Sequence, residues 1–189
     1  MNTPRLCHSW TAHAGQSFVI RQAAPADALQ ILAHTRAVLT EPEWNITELR
    51  EFRHTVAEEE AWIHSFQDRP HSILLVADFG VAETPLITGI LAFNTQNRFR
   101  TRHRGRLGIS VQAPYRRLGV GEALLQTLLT WAKVEPGLER VELSVFAHNG
   151  RAISLYRKPG FQEEARLSRA FKLANGAYYD DVMMVRWVK

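Results

Sequence analysis

The stretch Arg116-Arg117-Leu118-Gly119-Val120-Gly121 constrains this chain more than any other. Before it, Leu107-Gly108-Ile109-Ser110-Val111 alternates as a half-buried strand does. After it, Leu124, Leu125, Leu128 and Ala132 recur at helical spacing, which predicts an amphipathic helix over Gly121–Lys133. The order is strand, short proline-containing loop, glycine turn, helix. Glycines at 119 and 121 let backbone approach a ligand closely, and the first amides of a helix have no internal acceptor. Those amides and the helix dipole form an anion site, beside which Arg116 adds a bidentate donor. A pyrophosphate fits such a site.

Two other phosphate motifs are excluded. A P-loop ends in Gly-Lys-Ser/Thr, whereas Gly121 is followed by Glu122 and Ala123. A dinucleotide fingerprint wants a small residue at 124, which is Leu, and an acid closing the next strand; Glu142 sits near the start of Val141–Phe146.

With Arg116, Gly119 and Gly121 at this junction, the chain resembles the GCN5-related N-acetyltransferases, whose acetyl-CoA signature is Gln/Arg-x-x-Gly-x-Gly/Ala. The resemblance continues through Val145, Asn149, Ala152, Leu155, Tyr156, Gly160 and Phe161, and covers roughly Phe18 to Trp187. A softer likeness to a bacterial subgroup lies in Thr40-Glu41-Pro42, Glu58-Glu59-Glu60 and Gly176 to Asp180. It implies a mixed α/β fold, a central twisted sheet of about six to seven strands flanked by about four helices. It also implies acetyl-CoA as cosubstrate, held by Ile109, Val111, Arg116, Leu118, Gly119, Val120, Gly121, Glu122 and Asn149. Tyr156 would then stand beside the CoA sulfur.

At 189 residues, 46% hydrophobic and 22% charged, the chain suits one globular domain over 18–189. Residues 1–17 are polar and aperiodic, and are expected to form an N-terminal tail. The single cysteine, Cys7, excludes an internal disulfide and fits a reducing compartment. No apolar run reaches membrane-spanning length, and Met1–Trp10 lacks a secretory h-region, so a cytoplasmic location is expected. The net charge of +4 is partly local: Arg98, Arg100, Arg102, Arg104 and Arg106 alternate, and in a strand would share one face. Such a ladder reads as a solvated sheet edge rather than a nucleic-acid surface.

The chain in order predicts a strand at Phe18–Gln22 and a helix opened by Pro25-Ala26-Asp27. A second helix is capped by Thr47, with Leu49, Phe52, Val56, Ile63 and Phe66 as its stripe. Strands follow at His71–Asp78, Pro85–Thr95 and Thr101–Val111, and another spans Val141–Val145. A short helix covers Arg151–Lys158, and two last strands start at Phe161 and Tyr178.

Acetyl transfer needs an uncharged amine and a proton for the departing thiolate. Tyr156 is the candidate donor, since a phenol with reference pKa about 10 is protonated at neutral pH. Asn149 suits either pantetheine hydrogen bonds or a helix cap. Pro159, where the family carries an aliphatic residue, would tilt or shorten the Tyr156 helix. Glu41, Glu43 and His148 are the available bases, and no histidine spacing indicates a metal. The leading reading is an acetyl-CoA-dependent N-acetyltransferase acting on a small-molecule or peptide amine. An acyl-CoA-binding sensor and a nucleic-acid module are the alternatives. No membrane partner is expected, and a homodimer is left open.

Overall fold

The computed structural model describes residues 6–80, 84–96 and 98–189. An edge hairpin of β1 (Cys7–Thr11) and β2 (Ser17–Gln22) leads into α1 (Ala28–Leu39) and α2 (Val56–Asp68). Next come β3 (Ile73–Asp78), β4 (Ile87–Thr95) and β5 (Arg104–Val111), then α3 (Val120–Val134) and β6 (Arg140–Phe146). Helix α4 (Gly150–Arg157) and strands β7 (Gln162–Lys172) and β8 (Tyr178–Trp187) complete the order. The eight strands form one sheet in the order β1-β2-β3-β4-β5-β6-β8-β7. Every neighbouring pair is antiparallel except β5 and β6.

Each face of the sheet carries a pair of helices. Leu74, Val76 and Ile90 face α1 and α2, while Leu75, Leu91, Phe93, Leu107 and Leu143 face α3 and α4. Residues Ile73–Ala77 are buried throughout, as a continuously apolar strand with two covered faces must be. Arg21 on β2 locks one corner, gripping Asp27 through both terminal nitrogens at 2.7 Å and Asp78 at 2.8 Å.

Three sequence expectations are corrected. Part of the expected tail is structured: residues 1–5 lie outside the described residues, but Cys7–Thr11 pairs with β2 from Cys7↔Arg21 to Thr11↔Ser17. An exposed edge strand has no face to bury and so lacks apolar alternation. The second helix starts at Val56, not after Thr47. Thr55 accepts from the Glu58 amide at 3.3 Å while the Glu58 carboxylate accepts from the Thr55 amide at 2.8 Å, a capping box written in Thr55-x-x-Glu58. Finally, the arginines do not form a strand ladder. Strand β4 must reverse before β5, so Arg98 and Arg102 lie in turns, where the Thr101 and Arg102 amides both donate to the Arg98 carbonyl at 2.9 Å. Only Arg104 and Arg106 are in the strand.

Helix α3 and strand β4 pack closely around Phe93, which is fully buried and meets Trp131 edge-on at 5.8 Å. Gly105 makes room for that ring, since a Cβ there would sit 2.2 Å from Phe93 Cζ. Overpacking of this kind typically costs about 1–3 kcal/mol. Gly105→Ala should therefore lower the denaturation midpoint by that equivalent, with an unchanged m-value in a urea titration.

Candidate active site

The parallel pairing of β5 and β6 covers only Arg104↔Arg140, Gly105↔Val141 and Arg106↔Glu142. Beyond Arg106 the two strands part and an open cleft of about 550 Å³ separates them. On its other side β5 stays paired to β4 as far as Gly89↔Val111. The Gln112 amide donates to the Thr88 carbonyl at 3.0 Å, which makes that pair the hydrogen-bonded kind. Antiparallel pairs alternate, so Ile109 and Val111 turn their N–H and C=O groups away from β4 and toward the cleft. Strand backbone turned outward in this way, apart from the Val111 carbonyl that Arg116 takes, suits an extended ligand with amides of its own.

At the end of β5 the chain enters the glycine turn. Gly119 caps α3 with φ +90°, a conformation open to glycine at little cost. The first intrahelical bond runs from the Ala123 amide to the Gly119 carbonyl at 2.9 Å, so the amides from Gly119 to Glu122 are free of it. At Gly121 an added Cβ would lie 3.1 Å from Leu155 and 3.9 Å from Val111, inside the narrow junction of α3, α4 and β5. Gly119, Val120, Gly121 and Glu122 all line the cleft. Leu118 does not; it packs on the core and its carbonyl accepts from the His13 amide at 3.2 Å.

Arg116 is placed differently from expectation. Its terminal nitrogens hold the Glu41 carboxylate at 2.6 and 2.8 Å, and its Nε donates to the Val111 carbonyl at 3.0 Å. It ties the end of α1 to the glycine turn rather than presenting a free fork, and it occupies Glu41, one of the expected bases. Among the described residues, the cations at the cleft mouth without an ion-pair partner are Arg117 and Arg151, while Lys158 lies 3.8 Å from Glu122. Burial and the neighbouring charges of Arg117 and Arg116 pull Arg151 below its ordinary pKa, the mark of like charges gathered where an anion would relieve them.

Helix α4 carries Asn149 and Tyr156. Asn149 acts as the N-cap, its Oδ1 accepting from the Ala152 amide at 3.0 Å, and its side chain also lines the cleft. Pro159 lies just past the helix, which ends one residue before the expected Lys158. The helix ends at Arg157, and the Gly160 and Phe161 amides return to the Arg157 and Tyr156 carbonyls at 3.0 and 3.1 Å. That closure leaves Pro159 where its missing N–H is not needed. Tyr156 is 6% exposed and lines the cleft, and burial pushes its pKa up to about 12.

On the α1 side of the cleft lies a second set that sequence reasoning missed. His34 is fully buried, with Nε2 2.8 Å from Ser110 Oγ. Its Nδ1 is 3.4 Å from the Gln112 amide nitrogen, which donates to the Ile87 carbonyl at 3.1 Å. Ser110 and the His34 ring thus share one hydrogen bond, whose donor follows the ring tautomer. Burial lowers the His34 pKa to about 4, partly opposed by the Ile87 carbonyl. Trp44, His148 and Tyr179 form an aromatic wall nearby, with His148 4.1 Å from Tyr179 and 5.5 Å from Trp44. His148 Nε2 donates to the Glu43 carbonyl at 3.2 Å, which occupies another expected base. Among the described residues no group of His, Cys, Asp and Glu is arranged to hold a metal, and no helix is long and apolar enough to cross a membrane.

The site thus joins a parted parallel strand pair, a glycine turn with helix amides outside the intrahelical ladder, and a buried phenol at the gap. Residues 40–161 match the Acetyltransferase (GNAT) family, and the chain belongs to it. It is an acetyl-CoA-dependent N-acetyltransferase. It is 32% identical to the L-amino acid N-acetyltransferase AaaT of Escherichia coli K12, over 66% of this chain and 74% of that protein. It is 40% identical to an N-alpha-acetyltransferase of Sulfurisphaera tokodaii over 38% of this chain and 43% of that one. A GNAT-family acetyltransferase from Streptococcus pneumoniae superposes with TM-score 0.83 at 28% identity, covering 90% of this chain and 99% of that one. The phosphinothricin acetyltransferase of Sinorhizobium meliloti, solved with acetyl-CoA, shares the fold with TM-score 0.74 at 20% identity, over 89% and 86% of the two chains.

Two outcomes follow from this geometry. Gly121→Val should leave the fold intact and weaken acetyl-CoA roughly tenfold or more in calorimetry, about 1.4 kcal/mol, by filling the junction with Leu155. His34 binds its proton more weakly folded than unfolded, so the unfolded chain takes up a proton first as pH falls. Stability should thus be lost between about pH 6.5 and pH 4, by on the order of 3 kcal/mol in all. Melts across that range should show a flatter dependence in His34→Gln.

Proposed function

We propose that the protein moves an acetyl group from acetyl-CoA to the primary amine of a small, amino-acid-like acceptor by direct attack, with Tyr156 as general acid. The observation that carries this reading is the phenol itself. Tyr156 stands at the cleft wall next to the turn of α3, and among the described residues nothing hydrogen-bonds its hydroxyl. The opened edge of β5 at Ile109 and Val111, the amides from Gly119 to Glu122, and the side chain of Asn149 would hold the pantetheine and pyrophosphate. Arg117 and Arg151 would neutralise the phosphates. Arg116 would shape the turn from behind.

With its pKa near 12, Tyr156 keeps its proton through the physiological range. A free thiol titrates near 8.5, so donation ahead of bond cleavage would run uphill. The proton therefore follows the sulfur as the C–S bond breaks. The acceptor enters from the α1 side, where the aromatic wall of Trp44, His148 and Tyr179 offers packing for a small side chain. The name of the E. coli relative, an L-amino acid N-acetyltransferase, supports an acceptor of this size.

Tyr156→Phe removes only the hydroxyl, and acetyl-CoA binding should survive. Its kcat should fall about 10²–10⁴-fold, and the loss should shrink for an acetyl thioester with a much more acidic thiol. Unchanged turnover, with chemistry shown to limit the rate, would assign Tyr156 to packing.

A further inference from the structure

Asp181 on β8 is 5% exposed and lines the cleft, yet one of its carboxylate oxygens, Oδ1, is buried without a hydrogen-bond partner among the described residues. Its other oxygen accepts from the hydroxyl of Ser144 on β6. Leaving a buried polar atom unpaired is costly, the more so for a charged group, so an orphaned carboxylate oxygen beside a binding cleft points to a missing cation. The strand alternation gives its side. Leu143 and Val145, like Val182 and Met184, belong to the core beneath α3, so Ser144 and Asp181 face the α1 side with Ser110.

The two lips of the cleft each carry a serine on the α1 side. Ser110 is bonded to the buried His34 ring. Ser144 donates its hydroxyl hydrogen bond to Asp181 and keeps lone pairs to accept. An ammonium group, which only donates, suits Ser144. We infer that Ser144 receives the acceptor's ammonium and that Asp181, behind it, draws off its proton. This deepens the transfer reading above and rests on it.

The step balances as follows. One ammonium proton passes to Ser144 Oγ as the Ser144 proton passes to Asp181, leaving a neutral amine. The amine nitrogen forms the C–N bond to the acetyl carbon and the C–S bond breaks. The nitrogen's second proton replaces the one that Tyr156 gives to sulfur, and the first leaves Asp181 for solvent. Ser144 is the group that touches substrate; Asp181 is a positioning residue and proton sink.

The ionisable groups around Asp181 are engaged elsewhere or stand off. On β6, Glu142 is held by Arg140 at 2.7 Å and Arg104 at 3.3 Å. On β7, Leu167 stands opposite Asp181, flanked by Arg166, which reaches Glu163, and by Arg169, whose amide donates to Asp180. Tyr179 neighbours it on β8 and packs on His148, while His34 lies behind Ser110. From α4, Arg151, Tyr156 and Lys158 line the same cleft. Among the described residues, none of these bonds the Asp181 carboxylate.

The test uses the full chain with acetyl-CoA and a panel of L-amino acids and simple alkylamines, following free CoA. With the best acceptor, Asp181→Asn should bind acetyl-CoA as the parent does and lose roughly 10²-fold or more in kcat/KM at pH 7. Its log kcat/KM should rise with unit slope up to the acceptor's own amine pKa, where the parent stays flat. Ser144→Ala should show the same slope, and the double variant little further loss. For an acceptor whose amine is already neutral at pH 7 the defect should shrink. A parent-like pH profile in Asp181→Asn, or an equal loss with neutral and cationic amines, overturns the relay. Should Asp181→Asn not fold, Ser144→Ala carries the same readout. If the parent transfers acetyl and Tyr156→Phe is impaired while both relay variants are not, the relay alone fails. If no amine draws acetyl from the parent, the transfer reading fails and the relay with it.

Discussion

The parting of β5 from β6 is the constraint on which the site depends. Three residue pairs hold the strands together, from Arg104↔Arg140 to Arg106↔Glu142, and then the ladder stops. Everything beyond leaves backbone groups that neither strand can satisfy for the other. The rest of the sheet continues undisturbed on both sides, with β4 still pairing β5 up to Val111 and β8 pairing β6 up to Phe146. The gap is thus a rigid opening through an otherwise closed sheet. It connects the face covered by α3 and α4 to the face covered by α1.

That connection separates two kinds of chemistry by geometry alone. The α3 face offers amides outside the helix ladder and guanidinium groups, surroundings that favour an anion. The α1 face offers two serines, a buried His34 and the carboxylate of Asp181. The two meet only at the gap, beside Tyr156.

The walls are held from a distance. Arg116 joins Glu41 at the end of α1 to the Val111 carbonyl at the end of β5, a half-buried bidentate pair that links the two faces. Asn45 adds to the same corner, its amide donating to the Val38 and Glu41 carbonyls at 3.0 and 2.8 Å. From the other end of the sheet, the β1–β2 hairpin reaches the glycine turn, with His13 bonding the backbone of Arg117 and Leu118 at 3.1 and 3.2 Å. The turn is therefore buttressed by two N-terminal segments, one around His13 and one around Glu41.

What the sequence determined by itself was whatever depends on local spacing. Helix periodicity located α3, alternation located β5 and β6, and Arg116-x-x-Gly119-x-Gly121 located the glycine turn at the start of α3, because each of these signals is written within one turn or one strand. Asn149 and Tyr156 were legible through their spacing and family likeness. Tertiary structure alone decided where side chains from distant segments meet. Arg116 looked like a ligand donor until Glu41, 75 positions away, took its fork. Ser144 and Asp181 are 37 positions apart, and His34 and Ser110 are 76 apart, so no local pattern could join them. The edge strand at Cys7–Thr11 was invisible for a related reason: its order comes from hydrogen bonds to β2, which any exposed polar sequence can make, and not from an apolar face that composition would reveal.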